Sequence, residues 1–151
     1  MKNNFFDFLE SRGFIHQSTD KESIKKLFKD EICSGYIGFD CTSDSLHVGS
    51  LLPLMILRNF QKFGHKPIIL LGGGTTLIGD PSGKDETRKI LTKEEIDNNK
   101  QKLRIIFEKF VSFDKNQVNC AVIVDNYDWL MQLKLIPFLR AVGSKFSVNK
   151  M

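Results

Sequence analysis

Three short apolar runs constrain the fold of this chain more than any other feature. They are residues 35–39 (GYIGF), 67–71 (PIILL) and 121–124 (AVIV), and helix-like segments separate them at residues 47–60 and 92–110. Apolar runs of this length are typical of buried parallel strands, which need long, usually helical, right-handed crossovers. The sequence therefore predicts an α/β fold: a Rossmann-like doubly wound parallel sheet, represented by its first half, strand–helix–strand–helix–strand.

Two helices are predicted ahead of the first strand. Residues 4–12 place their apolar side chains on one face and are followed by a glycine, and residues 19–22 form a capping box that opens a second helix. We expect a helical lead-in over residues 1–33 and the Rossmann half over residues 34–151.

Three further segments carry clear local signals. Residues 72–84 (GGGTTLIGDPSGK) contain so many glycines and prolines that no regular element is expected there. Residues 92–95 form a capping box at the start of the second crossover helix, and residues 133–142 have the pattern of an amphipathic helix. The strand at residues 67–71 is expected to be covered on both faces, and the helix from His47 onward to be well buried.

Polar or glycine-rich residues follow each predicted strand: Asp40, residues 72–84, and residues 125–126. Because ligands of open α/β sheets bind at the carboxyl ends of the strands, these segments mark the expected site. The segment at residues 40–50 (DCTSDSLHVGS) joins a strand to a helix start, where free backbone amides and the helix dipole favour phosphate.

Four side chains or backbone positions in that segment suit phosphate chemistry. Thr42, His47 and Ser50 can donate hydrogen bonds to phosphoryl oxygens, and Gly49 allows a ligand to approach the backbone closely. A capped helix with an incidental histidine remains the alternative explanation for this segment alone.

Composition excludes several classes of protein. The three cysteines are odd in number and lack CxxC spacing, so we expect reduced buried thiols and no zinc site, and the three histidines are too scattered for a metal site. No apolar run approaches the ~20 residues of a membrane span. Acidic residues near the start argue against a signal peptide. We therefore expect a cytoplasmic protein. The net charge of +4 is only weak evidence for a polyanionic partner.

Two common nucleotide-binding motifs are missing. Asp80 stands where a P-loop needs lysine, which disfavours P-loop ATPases, and no GxGxxG occurs, which disfavours nicotinamide enzymes.

Four motifs in order resemble the tyrosyl-tRNA synthetases of bacterial type, a class I aminoacyl-tRNA synthetase family. The resemblance covers nearly the whole chain, from about Phe8 to Met151. The motifs are Gly38-Phe39-Asp40-x-Thr42-x-Asp44-Ser45-Leu46-His47-x-Gly49, Gly79-Asp80-Pro81-Ser82-Gly83-Lys84, Asn126-Tyr127-Asp128-Trp129, and Phe138-Leu139-Arg140 with Val142-Gly143-Ser144-Lys145-Phe146-Ser147-Val148-Asn149. The resemblance implies a ligase that joins tyrosine to ATP, forming tyrosyl-adenylate and pyrophosphate, and then transfers tyrosine to tRNA(Tyr).

The same resemblance implies a role for each matching residue. Tyr36 and Asp80 would bind the tyrosine hydroxyl and ammonium groups; the hydroxyl contact rejects phenylalanine, a discrimination for which these synthetases are themselves the standard example. ATP would contact Gly38, Asp40, Thr42, His47, Gly49 and Ser50. The expected catalytic residues are Thr42, His47, Ser50, Lys84 and Arg88. Magnesium would accompany ATP without predicted protein ligands.

Two departures and several missing parts qualify the resemblance. Ser50 stands where many relatives have histidine, and Ile37 where some place a polar or thiol residue. The family's lysine-rich ATP loop, the C-terminal half of the catalytic domain and the anticodon-binding part find no counterpart, so we expect an N-terminal fragment of a homodimeric enzyme, marginally stable or self-associating alone. Alternatives left open are a noncatalytic truncated paralogue that binds RNA or a protein, and another His-x-Gly-x adenylyl-transfer enzyme such as a tryptophanyl-tRNA synthetase or a nucleotidyltransferase.

Overall fold

The computed structural model describes residues 4–79 and 90–145, apart from the side chain of Ser144. Two of its short helical segments are 3₁₀ turns, Val48–Ser50 and Gly143–Lys145. The remaining elements, in chain order, are α1 (Phe5–Ser11), α2 (Lys21–Asp30), β1 (Ser34–Phe39), α3 (Leu51–Lys62), β2 (Lys66–Leu71), α4 (Gly73–Ile78), α5 (Lys93–Phe107), β3 (Val122–Asp125), α6 (Tyr127–Leu130) and α7 (Leu135–Ala141).

The three strands form one parallel sheet in the order β1-β2-β3. Their carboxyl ends are in register, because Phe39 pairs with Leu71 and Leu71 pairs with Asp125. The residues that follow the strands therefore meet at one edge of the sheet. This arrangement confirms the predicted α/β class and the strand–helix–strand–helix–strand order.

Helices α3 and α5 pack on the same face of the sheet. The core cluster joins Phe39, Ile69 and Leu71 of the strands to apolar side chains of both helices, and the Phe39 and Phe107 ring centroids lie 5.1 Å apart. Phe107 and Leu103 are fully buried on α5, which begins with the predicted Thr92–Glu95 capping box. Burial of this apolar face is the main stabilising contribution to the fold.

The expectation that β2 is covered on both faces is wrong for the described residues. Burial alternates along the strand: Ile69 and Leu71 are buried, whereas Ile68 and Leu70 are only half-buried. All four residues of β3 are also half-buried. The reason is that α3 and α5 cover one face, and successive strand residues point to opposite faces.

Helix α3 also departs from its predicted burial. Leu54, Leu57 and Phe60 are buried, but Leu51 and Leu52 in the first turn are about half exposed, at 45% and 54%. The apolar residues surround the helix, while the sheet can cover only one side of it. Burial of α3 was therefore overestimated at its amino end.

The lead-in helices pack on the other end of α3 through aromatic side chains. The ring of Phe5 lies 5.0 Å from Phe60 and 5.6 Å from Phe28, measured between centroids, and Phe5 is 3% exposed. Both helices are confirmed, but the second begins one residue later than predicted: Asp20, not Thr19, caps α2 by accepting a hydrogen bond from the Ser23 amide. Either side chain is chemically suited to cap a helix.

The glycine-rich segment contains a helix that the sequence did not predict. Helix α4 begins directly after β2 because side chains at the end of β3 bind its first amides. Asp125 accepts from the Gly73 amide at 3.1 Å, and Asn126 accepts from the Gly74 amide at 2.7 Å. These long-range contacts stabilise a helix start that its own residues cannot cap.

The amphipathic helix predicted at residues 133–142 is present as α7, but its apolar residues are exposed. Leu135 and Ile136 are 69% and 72% exposed, and Phe138 and Leu139 are 40% and 50% exposed. Within the described residues, this face is not part of the buried core. Its pattern nevertheless predicted the helix correctly, since periodicity reports local structure independently of what covers it.

His65 should make the stability of the fold dependent on pH. It is 3% exposed, packs against the rings of Phe28 and Phe60 with centroids 4.9 and 4.8 Å away, and accepts a hydrogen bond from the Cys33 amide through Nδ1 at 3.3 Å. Burial lowers the pKa of His65 from its usual 6.5, so folding favours the neutral imidazole. The contribution of His65 is therefore fully present above about pH 6.5 and is lost as the pH falls below that value.

Urea unfolding followed by circular dichroism between pH 5 and pH 8 tests this expectation. His65→Asn keeps a hydrogen-bond acceptor for Cys33 but does not titrate in this range. The variant should be less stable at pH 8 and should show a weaker loss of stability on acidification. An equal loss of stability on acidification in both proteins would show that titratable groups other than His65 cause the loss.

Candidate functional site

A cleft of about 410 Å³ opens at the carboxyl end of β1. It is lined by the end of that strand, the loop that follows and the first turn of α3: Gly38, Phe39, Asp40, Thr42, Ser43, Ser45, Leu46, His47, Gly49, Ser50 and Pro53. All six residues expected to contact ATP are among them. The structure thus brings together residues that the sequence grouped by motif, although their contact with a ligand stays a prediction.

His47 and Ser50 face each other across the 3₁₀ turn that precedes α3. His47 Nε2 and Ser50 Oγ lie 3.4 Å apart, and the Ser50 amide donates to the His47 carbonyl at 2.9 Å. His47 is exposed, so its ring is accessible from the cleft. Both side chains carry groups able to donate to a phosphoryl oxygen, and together they form a polar wall at a helix start.

The His47 ring lies close to the backbone of Gly49. A Cβ added at Gly49 would lie 2.9 Å from Cε1 and Nδ1 of His47, closer than real contacts allow. A side chain at position 49 would therefore require the exposed imidazole to shift. The sequence had suggested room for a ligand at the backbone, which the packing of His47 neither requires nor excludes.

Gly38 is different, because none of the described residues occupies the space beside it. A Cβ added there meets no atom of residues 4–79 or 90–145 within 4 Å, and the residue lines the cleft. Glycine weakens a strand and often marks the close approach of a ligand or another backbone. The empty space beside Gly38 is thus a local indication of a binding surface.

Tyr36 precedes Gly38 by two residues on the same face of β1, about 7 Å along the strand. Its side chain is 70% exposed, so Tyr36 is not a core aromatic residue of the strand. Tyr36 does not line the cleft itself. It lies on the less covered face of the sheet, and its contact with a ligand stays a prediction.

The loop of the cleft is tied to α5. Lys102 Nζ lies 2.9 Å from Asp44 Oδ2, and this hydrogen bond lowers the pKa of Asp44.

Cys41 is fully buried, and desolvation raises the pKa of its thiol to about 11, so the thiol stays protonated at neutral pH. All three cysteines are free thiols, but Cys33 and Cys120 are half-buried, so the expectation of burial is correct only for Cys41.

The other predicted segments contribute unequally. Asp125 and Asn126 are at the expected edge of the sheet, but their oxygens bind the amides of α4. Asp80, Lys84 and Arg88 lie outside the described residues. Ser43 and Ser45 line the cleft and were not singled out, although their place in the same polar loop could have indicated it.

No group of three or more histidine, cysteine, aspartate or glutamate residues within residues 4–79 and 90–145 could hold a metal ion. In the same part of the chain, no helix has the length and hydropathy needed to cross a membrane.

The sequence profile of the class I tRNA synthetases for tryptophan and tyrosine (W and Y) matches residues 29–151. The chain is 50% identical over 151 residues to the tyrosine–tRNA ligase of Clostridium tetani, and 53% identical over 148 residues to that of Beijerinckia indica. These matches cover 100% and 98% of the chain but 36% and 35% of the relatives. The chain therefore spans about a third of the length of the curated relatives it matches.

A solved structure supports the fold. The C-terminally truncated mitochondrial tyrosyl-tRNA synthetase of Aspergillus nidulans superposes with a TM-score of 0.77 at 25% sequence identity. The alignment covers 99% of this chain and 44% of that one. The three-stranded sheet and its helices thus occur within a larger fold of the same architecture.

Proposed function

The chain belongs to the class I tRNA synthetases for tryptophan and tyrosine, and we propose that the whole protein is a tyrosine–tRNA ligase. In this proposal it activates L-tyrosine with ATP, releases pyrophosphate, and transfers the tyrosyl group to tRNA(Tyr). The curated relatives named tyrosine–tRNA ligase, at about half identity along the whole chain, support tyrosine over tryptophan.

The first step of this reaction needs positioning and charge stabilisation more than acid–base chemistry. The tyrosine carboxylate attacks the α-phosphorus of ATP, the bond to the β-phosphate oxygen breaks, and pyrophosphate leaves. Because the nucleophile is already ionised, the protein must align it and stabilise charge on the phosphoryl oxygens. Hydrogen-bond donors and cations are the residue types that this chemistry requires.

The cleft at β1 is the observation that carries the proposal. Thr42, His47 and Ser50 present donors there for the phosphates, and Gly38 leaves its backbone open to the nucleotide. Magnesium would arrive with ATP. Asp80 for the tyrosine ammonium and Lys84 and Arg88 for the departing pyrophosphate complete the proposed site on the strength of the sequence motif.

Pyrophosphate exchange tests the proposed function most directly. The full-length protein that contains these residues should exchange labelled pyrophosphate into ATP with tyrosine, and much more weakly with tryptophan or phenylalanine. A preference for tryptophan would instead identify the protein as a tryptophanyl-tRNA synthetase of the same family. Absence of exchange with every amino acid, despite tight tRNA binding, would favour a noncatalytic paralogue.

Gly38→Ala should weaken nucleotide use without destabilising the fold. The new methyl group would enter the open space beside the strand, where overpacking against a ligand costs about 1–3 kcal/mol, or roughly tenfold in kcat/KM for ATP. Stability should stay constant or rise slightly, because alanine loses less backbone entropy than glycine. ATP titration of the exchange rate, with a thermal melt, measures both effects; unchanged use of ATP would place the nucleotide elsewhere.

We propose two further properties of the whole protein. The exposed apolar side chains of α7 support a homodimer or a contact with other parts of the protein, since exposed apolar patches often mark such contacts. A cytoplasmic location fits an enzyme that acts on tRNA. Sedimentation of the full-length protein would test the dimer.

A further inference from the structure

Both peptide groups that flank Cys41 are held by side chains from other elements. The Cys41 amide donates to Thr76 Oγ1 of α4 at 3.1 Å, and the Cys41 carbonyl accepts from Asn99 Nδ2 of α5 at 2.9 Å. Thr76 is 8% exposed and Cys41 is fully buried. Two hydrogen bonds therefore fix the backbone at Cys41. The bond to Thr76 is buried and joins residues 35 positions apart, and the bond to Asn99 is half-buried and joins residues 58 positions apart.

These two peptide groups set the positions of cleft residues on either side. The amide belongs to the peptide that joins Asp40 to Cys41, and the carbonyl belongs to the peptide that joins Cys41 to Thr42. Asp40 and Thr42 line the cleft, whereas Thr76 and Asn99 do not. Fixing both peptide planes limits the directions in which the cleft residues can project.

We propose that Thr76 and Asn99 are positioning residues for the nucleotide site, acting through the Cys41 backbone on Asp40 and Thr42. The inference rests on the proposed function for its catalytic consequence, but the hydrogen bonds can be tested independently. A buried amide that loses its acceptor would draw the loop out of place to find another partner. Small misplacements of positioning groups have large effects on rate, because catalysis depends on alignment of the reactants.

The central variant is Thr76→Val in the full-length protein, which removes the hydroxyl while keeping a similar shape. We expect kcat for tyrosine-dependent pyrophosphate exchange to fall about tenfold, with KM for tyrosine changed by less than about twofold. Thr76→Ser keeps the hydroxyl and should restore most of the rate. Asn99→Leu should reproduce the loss, and Thr19→Val, at an exposed position ahead of α2, serves as the matched control.

Amide hydrogen exchange provides the second measurement, independent of activity. In Thr76→Val, exchange should rise about tenfold or more at the Cys41 amide and its loop neighbours, with little change in α3 or β2. A uniform rise across the fold, together with a lower melting temperature and no specific loss of kcat, would assign Thr76 a merely structural role and overturn the inference. Unchanged exchange and unchanged kcat would overturn it as well.

The two proposals fail in distinguishable ways. Absence of tyrosine activation by the unsubstituted protein would contradict the proposed function and with it the catalytic consequence drawn here. An active unsubstituted protein with an equally active Thr76→Val variant would leave the proposed function intact and contradict only the positioning role.

Discussion

Replacement of His47 by alanine is expected to lower kcat for tyrosine-dependent pyrophosphate exchange about 10²–10³-fold, the usual effect of removing one preorganised donor to a developing charge. The expectation follows from the place of the ring: it lines the cleft, lies at a helix start, and faces Ser50 at 3.4 Å. KM for tyrosine should change little, since His47 is expected to contact the phosphates and not the amino acid.

Two comparison variants make the His47 experiment specific. His47→Asn retains a donor on a shorter side chain and should recover part of the rate. His16→Ala removes an exposed histidine that does not line the cleft and should leave exchange unchanged. A His47→Ala protein with nearly normal kcat would contradict the assignment of the cleft to the phosphates.

The Gly73→Ala variant is expected to be less stable than the parent chain by about 2 kcal/mol. An added Cβ would lie 2.6 Å from Oδ2 and 2.8 Å from Cγ of Asp125, so the carboxylate must move. Lys100 Nζ at 2.8 Å and the Tyr127 amide at 2.9 Å hold that carboxylate in place. The strain and the lost hydrogen bonds cost about 3 kcal/mol. Better helix propensity recovers about 1 kcal/mol.

A thermal melt measures this difference, which corresponds to a decrease of about 4–8 °C in Tm for a protein of this size. Gly38→Ala is the matched control, because a methyl group added at Gly38 meets no atom of the described part of the chain within 4 Å. Equal melting temperatures for Gly73→Ala and the control would show that Asp125 yields without cost and does not stabilise the start of α4.

Local sequence patterns predicted most of the elements that place the cleft. Apolar runs indicated the strands, and the capping box at Thr92 and Glu95 is formed as expected. Asp40, Thr42 and His47 belong to one segment that follows β1, and residues so close in sequence stay close in space. The position of this segment at the carboxyl edge of the sheet follows from the parallel order of the strands. Motifs of this kind consist of residues that are close in sequence, so they can be recognised before the fold is known.

Contacts between distant residues could not be predicted in the same way. Helix α4 forms in a glycine-rich segment because Asp125 and Asn126 bind its first amides from more than 50 residues away. The Cys41 backbone is likewise held by α4 and α5, from 35 and 58 residues away. No spacing in the sequence encodes these pairings.

The sequence by itself determined the class of the fold, the order of most of its strands and helices, and six of the residues that line the cleft. Only the tertiary structure decided which face of the sheet is covered, why Gly73 must be small, and which side chains hold the Cys41 peptide groups. The physical reason is the range of the interactions: helix and strand periodicity arises between near neighbours, whereas burial and hydrogen-bond partners depend on which elements pack together.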